Sequence, residues 1–193
     1  MNYEVMKYRD ERKLIVKGQY MNVTEFDNPQ IYCDMDGVLV DLINGATKIL
    51  GYNFAERYGY VKSTHELWSQ LAEDKMFWAE LPPMSDMDQL WEFIKPLHPF
   101  ILTAVPAVRL VWDPPAGIQK TIWCEKNLGI SKDRVYAVKR QDKKHFAKSH
   151  DSRPNILIDD LLQNINEWNS AGGRGIHHTS ASNTIKQLEE LGF

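Results

Sequence analysis

Four aspartates and one threonine have the types and spacing that could do chemistry: Asp34, Asp36, Thr103, Asp159 and Asp160. Asp34 and Asp36 are separated by one residue and followed by Gly37. In such a pair one carboxylate can attack phosphorus and carry the phosphoryl group, while the other protonates the leaving oxygen and later activates water. The glycine lets the backbone approach a bound phosphate closely. Two unit charges ~4 Å apart repel by about 4 kcal/mol at an effective dielectric of 20, so carboxylates gathered in one cleft need a counter-charge. Oxygen-only ligands favour Mg²⁺ over zinc, and Asp34, Asp36, Asp159 and Asp160 are the expected ligands. A nearby lysine would complete the neutralisation and bind phosphate. Phosphomonoester hydrolysis is among the slowest uncatalysed reactions, so such a site must supply large electrostatic stabilisation.

These groups meet only if the right elements carry them. Ile31-Tyr32-Cys33 is a short apolar, β-prone run that leads into Asp34-Met35-Asp36-Gly37, as a buried strand leads into a glycine turn. Phe100-Ile101-Leu102 ends in Thr103-Ala104, and Asn155-Ile156-Leu157-Ile158 ends in Asp159-Asp160. Further strands are expected at Arg134–Val138 and Gly175–His178, with helices at Leu42–Leu50, 117–128 and Thr184–Leu191. Short buried strands alternating with helices predict an α/β fold with a mostly parallel sheet. Ligands of such sheets bind beyond the carboxyl ends of the strands, where all five polar groups would then converge.

The segment from 51 to 95 differs in texture. It is rich in Trp, Phe, Tyr and Met at helical spacing and is broken by Pro82-Pro83, so it reads as a small helical insertion. The expected organisation is an N-terminal extension at 1–28, a core formed by 29–50 and 96–193, and the insertion between them. The extension has two open readings: packing on the sheet edge, or a contact between two copies in a homodimer.

Several residues have plainer readings. Asp41 fits a helix N-cap. Asp160 could cap the helix after it while Asp159 binds metal, or the reverse. His177 and His178, adjacent on a strand, should point to opposite faces and so not form a metal pair. Asp113-Pro114-Pro115-Ala116 is either a loop at the mouth of the site or a helix-starting turn. Phe77, Trp78, Trp68 and Trp91 suit the core of the insertion at least as well as a ligand platform.

The formal net charge of −3 argues against an extended nucleic-acid-binding face. Two cysteines, Cys33 and Cys124, supply neither a disulfide framework nor zinc spacing, and a reducing cytoplasm is the expected setting. The first residues lack the apolar core of a signal peptide. No apolar run approaches the ~18 residues of a membrane span.

Asp34-Met35-Asp36-Gly37-Val38-Leu39 resembles the first motif of the haloacid dehalogenase superfamily. Ile101-Leu102-Thr103 resembles the second, whose hydroxyl binds phosphate, and Ile156 through Asp160 the fourth, whose acidic pair holds Mg²⁺. Arg140-Gln141-Asp142-Lys143 resembles the Arg-Asp-Lys run of the 5'(3')-deoxyribonucleotidases, with one residue inserted. Lys120 through Gly129 and Met76 through Met84 are similar to stretches of that same family. The resemblance covers roughly residues 30 to 178. It implies a Rossmann-like core with a cap inserted after the first strand, an aspartyl-phosphate mechanism and a third-motif lysine. Lys139, Lys143, Lys144 and Lys148 are in range for that lysine, with Lys143 preferred. It further implies phosphate contacts at Thr103 and Ala104, and a nucleobase near Phe77 and Trp78, whose flat faces could stack on it.

Three functions compete on these residues. The first is an Mg²⁺-dependent phosphatase for nucleoside 5'-monophosphates, deoxyribonucleotides above all. The second is a phosphatase of the same superfamily for another small phosphomonoester or a nucleic-acid terminal phosphate. The third is a nucleotide-binding module without turnover, against which the intact Asp34 and Asp36 count.

Overall fold

A computed structural model describes residues 13–16, 19–22, 29–58, 64–106 and 114–193. Strands β1 (Lys13–Val16) and β2 (Gln19–Asn22) pair antiparallel as a two-stranded unit. The core begins at β3 (Ile31–Cys33) and α1 (Leu42–Leu50), and continues through α2 (Phe54–Tyr58), α3 (Thr64–Leu71) and α4 (Met87–Ile94). It then continues through β4 (Phe100–Ala104), α5 (Ala116–Leu128), β5 (Val135–Val138), a short 3-10 helix, β6 (Ile156–Asp159), α6 (Leu162–Ser170), β7 (Arg174–His177) and α7 (Ala181–Glu190).

The five strands from β3 onward form one parallel sheet in the order β5-β4-β3-β6-β7. The fold is α/β, as the strand and helix pattern predicts, and Rossmann-like, as the resemblance implies. Both faces of the sheet are covered, and the side chains alternate accordingly. Ile31, Cys33, Ile101, Ile156 and Ile158 join one apolar cluster, while Tyr32, Leu102 and Leu157 join another with Ile165 and Trp168 of α6. That is why the central strands read as unbroken apolar runs.

The chain reverses direction across the sheet at β3, which lies between β4 and β6. A crevice therefore opens beyond its carboxyl end. Register decides what faces it. Cys33 pairs with Ile158, and the Asp34 N–H donates to the Ile158 carbonyl at 2.8 Å, so Asp34 is level with Asp159. Thr103 is the penultimate residue of the neighbouring strand, two residues past the partner of Cys33.

Residues 35–40 fold into a tight turn in which the Met35 carbonyl accepts from both Leu39 and Val40. Gly37 has φ +79°, the left-handed region that a side chain rarely tolerates. The returning segment Pro82–Met84 braces this turn: Asp41 N–H donates to the Pro82 carbonyl, and Met84 N–H to that of Leu39.

The described residues between 51 and 95 are mainly helical, and Phe54, Leu67, Trp68, Leu71, Phe77 and Trp78 share the apolar cluster of the sheet. Its last helix, α4, packs on α7, with Asp86 accepting from the Ala181 N–H at 2.7 Å and Gln89 donating to Ser182 at 3.2 Å. Asp41 caps α1 by accepting from Asn44 N–H at 2.9 Å. His178 is buried against Thr184 and His177 half-buried. Asp113 lies outside the described residues, and Pro115 precedes the first turn of α5. Among the described residues no helix is long and apolar enough to cross a membrane.

Ile158 is fully buried at the centre of this sheet. Its replacement by alanine should lower the unfolding free energy by about 2–5 kcal/mol with the fold retained. Urea unfolding followed by circular dichroism measures this, and a loss under ~1 kcal/mol would show that the centre of the sheet is not the close-packed core described.

Candidate active site

Asp34, Asp159 and Asp160 each offer an oxygen, and these oxygens lie within 4.8 Å of one another. Lys143 closes the group. Its ammonium sits 2.7 Å from Asp34 Oδ2 and 2.7 Å from Asp159 Oδ2. Lys143 is buried on the short 3-10 helix Arg140–Phe146, whereas its neighbour Lys144 is exposed. Geometry therefore brings Lys143, of the four lysines in range, into the cluster.

Asp159 is held on all sides. Its Oδ1 accepts from Leu161 N–H at 2.9 Å, and both oxygens take Asn164 Nδ2 at 3.0 Å. The backbone bond at the start of α6 is thus made by Asp159, which leaves the Asp160 side chain exposed at the rim. Asn164 in turn accepts from Arg140 Nη1 at 2.9 Å. Asp34 Oδ1 accepts from Met35 N–H at 2.7 Å.

Asp36 goes elsewhere. Its Oδ2 lies 2.5 Å from the ammonium of Lys120, which also donates to Thr103 Oγ1 at 2.9 Å. The structure departs here from the expected metal set, because the Asp36 carboxylate is absent from the cluster that Asp34, Asp159 and Asp160 form. The physical reason is that Lys120, with 0% exposure, needs an anion beside it. Sequence reasoning gave Lys120 no role at the site. A signal was present: Lys120 shares a face of α5 with Trp123 and Cys124, three and four residues on, both buried.

The expected stacking pair is also placed differently. Phe77 and Trp78 are each only 1% exposed. Trp78 stacks on Trp68 at 5.6 Å, meets Phe77 edge-on at 4.9 Å, and has the Lys120 ammonium 4.5 Å from its ring centre. Neither ring offers a free face for a nucleobase, since the apolar surface that would stack is spent inside the core. Ala104 is half-buried beside Thr103 at the end of β4.

Burial, followed by the Asp34 charge, pushes Asp159 up to about 7; at the rim, partial desolvation of the Asp160 carboxyl, followed by the same charge, pushes it up to about 6. Burial likewise raises Asp36, against the opposing pull of Lys120. Burial works to lower Lys143, but Asp34 and Asp159 outweigh it and hold the ammonium above the usual lysine range. Four carboxylates thus face two ammonium groups. With all of them ionised, the cleft carries an excess of two negative charges.

That excess, the oxygen-only donor set and the raised carboxyls suit a hard divalent cation held by Asp34, Asp159 and Asp160. Gly37 lies against this spot, and a Cβ there would collide with the Asp160 carboxylate.

Neither a family model nor a curated protein matches this chain. Solved structures do. A hydrolase from Streptococcus pneumoniae TIGR4 aligns over 83% of this chain and 97% of its own, at 12% identity and a TM-score of 0.50. The fold is shared. A hydrolase from Pseudomonas syringae aligns over 85% of this chain and 99% of its own, at 15% identity and a TM-score of 0.45. A protein of Burkholderia xenovorans LB400, whose name places it among haloacid dehalogenase-like hydrolases, aligns over 75% and 80% at 17% identity and a TM-score of 0.39.

Loss of Lys143 should have a pH-dependent cost. Between the unfolded carboxyl value of ~4 and the folded values near 6 and 7, the folded state binds more protons. The contribution of Asp159 and Asp160 is complete below ~4 and falls as pH rises to ~7. Lys143 stays charged throughout that window. Lys143→Met should therefore destabilise by about 3 kcal/mol at pH 8 and by clearly less at pH 5, where protonated carboxyls tolerate its absence. Urea unfolding at both pH values checks the sign, and equal losses would contradict it.

Proposed function

We propose that this protein is an Mg²⁺-dependent phosphomonoesterase of the haloacid dehalogenase superfamily. The carrying observation is the Lys143 ammonium bridging Asp34 and Asp159 inside a three-carboxylate cluster, with Asp36 and Thr103 tied together beside it.

On this reading Asp34 attacks phosphorus and the bond to the leaving oxygen breaks. Asp36 gives that oxygen its proton, a role favoured by the burial that raises its proton affinity against the pull of Lys120. Water then adds to the phosphoryl group of the aspartyl phosphate and returns a proton to Asp36, while the bond from phosphorus to Asp34 breaks and inorganic phosphate leaves. Lys143 keeps Asp34 aimed and offsets charge on the phosphoryl oxygens, and the Thr103 hydroxyl donates to one of them. Asp34, Asp159 and Asp160 would hold Mg²⁺, which when bound neutralises the phosphoryl oxygens and the carboxylate excess.

The substrate class we propose is nucleoside 5'-monophosphates, deoxyribonucleotides above all. Its support is the sequence resemblance over Met76–Met84 and Lys120–Gly129. Trp78 serves this reading as the buried floor under Lys120, with Phe77 packed edge-on against it, rather than as a base platform. Two buried free thiols, Cys33 and Cys124, with Cys124 pushed up to about 12 by burial, accord with a reducing cytoplasm.

Phosphate release from a panel including dTMP, dUMP, sugar phosphates and a 5'-phosphorylated oligonucleotide tests both levels. Release should require Mg²⁺ and fall more than about a thousandfold in Asp34→Asn. Hydrolysis of other esters with nucleotides ignored removes the substrate claim alone. Tight nucleotide binding without release over hours replaces the enzyme by a binding module.

A second expectation concerns the ion. Protons compete with a cation for Asp159 and Asp160 up to about 7 and 6. Millimolar MgCl₂ should therefore raise the melting temperature at pH 8 by several degrees and hardly at all at pH 5. An equal shift at both pH values would mean that the ion binds elsewhere.

A further inference from the structure

A lysine with no exposed surface is costly unless its charge is matched, and Lys120 is matched on three sides. Its ammonium donates to Asp36 Oδ2 at 2.5 Å and to Thr103 Oγ1 at 2.9 Å, and stands 4.5 Å from the Trp78 ring centre. An ammonium has three protons, and two hydrogen bonds with one aromatic face account for them.

The helix carrying Lys120 is itself pinned. Gln119 accepts from Trp78 N–H at 3.1 Å and donates to the carbonyls of Lys75 at 2.9 Å and Pro114 at 2.6 Å. Trp123 Nε1 donates to the Leu81 carbonyl at 2.8 Å. Lys120 thus reaches the cleft from a fixed base.

The Asp36 carboxylate is divided as a result. Its Oδ2 is anchored by Lys120, while its Oδ1 is buried without a hydrogen-bond partner among the described residues. A buried, unpartnered carboxylate oxygen is unfavourable unless a ligand meets it. Lys143, on the other side of the cluster, is committed to Asp34 and Asp159.

We infer that Lys120 is a positioning residue that clamps one oxygen of Asp36, leaving Oδ1 to exchange the proton of the leaving group, and locks Thr103 in the same frame. The inference rests on the phosphatase reading and goes beyond it by giving each of the two buried lysines its own task. Lys143 serves the nucleophile, and Lys120 serves proton delivery. In the first half-reaction the phosphorus–oxygen bond breaks, and the proton on Asp36 Oδ1 passes to the departing oxygen. A misaimed Asp36 slows only departures that need this proton.

The test is therefore the leaving group. An alkyl ester, such as the best nucleoside monophosphate of the panel, departs as a strong base and needs protonation. 4-Nitrophenyl phosphate departs as a weak base and hardly needs it. In Lys120→Met, kcat/KM should fall at least about a hundredfold for the alkyl ester and less than about tenfold for the aryl ester. If the Met variant does not fold, Lys120→Gln, one bond shorter and uncharged and so unable to hold Asp36 Oδ2 as the ammonium does, carries the same comparison. Equal losses on the two esters would overturn the inference, because a purely structural lysine affects both alike. If the wild-type protein hydrolyses neither ester, the phosphatase reading itself is wrong, and the role of Lys120 falls with it.

Discussion

Everything at the carboxyl edge of the sheet depends on one ammonium shared between two carboxylates. Asp34 and Asp159 arrive on adjacent strands at the same level, and at such separations their mutual repulsion is substantial. Lys143, 2.7 Å from each, makes the arrangement tolerable. It does not make it neutral, since Asp36 and Asp160 add two charges against the single one of Lys120. The fold therefore keeps a local charge deficit, which adds to burial in the upward shifts of Asp159 and Asp160. A deficit of this kind is poor for stability and useful for binding a cation, and sites of function often show this trade.

The surroundings are built to hold that tension. Asn164 and the Leu161 N–H take up the lone pairs of Asp159, and Arg140 anchors Asn164 from outside. The 35–40 turn is braced by Pro82–Met84, so the insertion fixes the loop that carries Asp36 and Gly37. α5 ties the same insertion to Lys120 through Gln119 and Trp123. Side chains that act on a substrate need to be held closely, and these contacts come from elements rather than from loops alone.

Much of this was legible along the chain. Asp34, Thr103 and Asp159 each follow a short apolar run, and a parallel sheet buried on both faces requires such runs. Helix boundaries at Leu42–Leu50 and near 117–128 follow from capping and from the Gly after each. Lys143 against Lys144 was harder, because neighbouring lysines on a tight helix point different ways and only the fold orients them. Lys120 was missed because a lysine within a helix ordinarily faces water, and its place on the Trp123–Cys124 face carries weight only once that face is known to be buried.

By itself the sequence determined the acidic motif, the strand ends that bear it and the alternation that makes the sheet parallel, because these follow from local pattern and short-range stereochemistry. Tertiary structure alone decided the partners. Asp36 belongs to Lys120 and Thr103, while Asp34, Asp159 and Asp160 form a separate cluster. Phe77 and Trp78 are interior, the latter under Lys120. Partnership is set by distances between residues up to 125 positions apart in the chain, and charge and burial at such distances have no local signature.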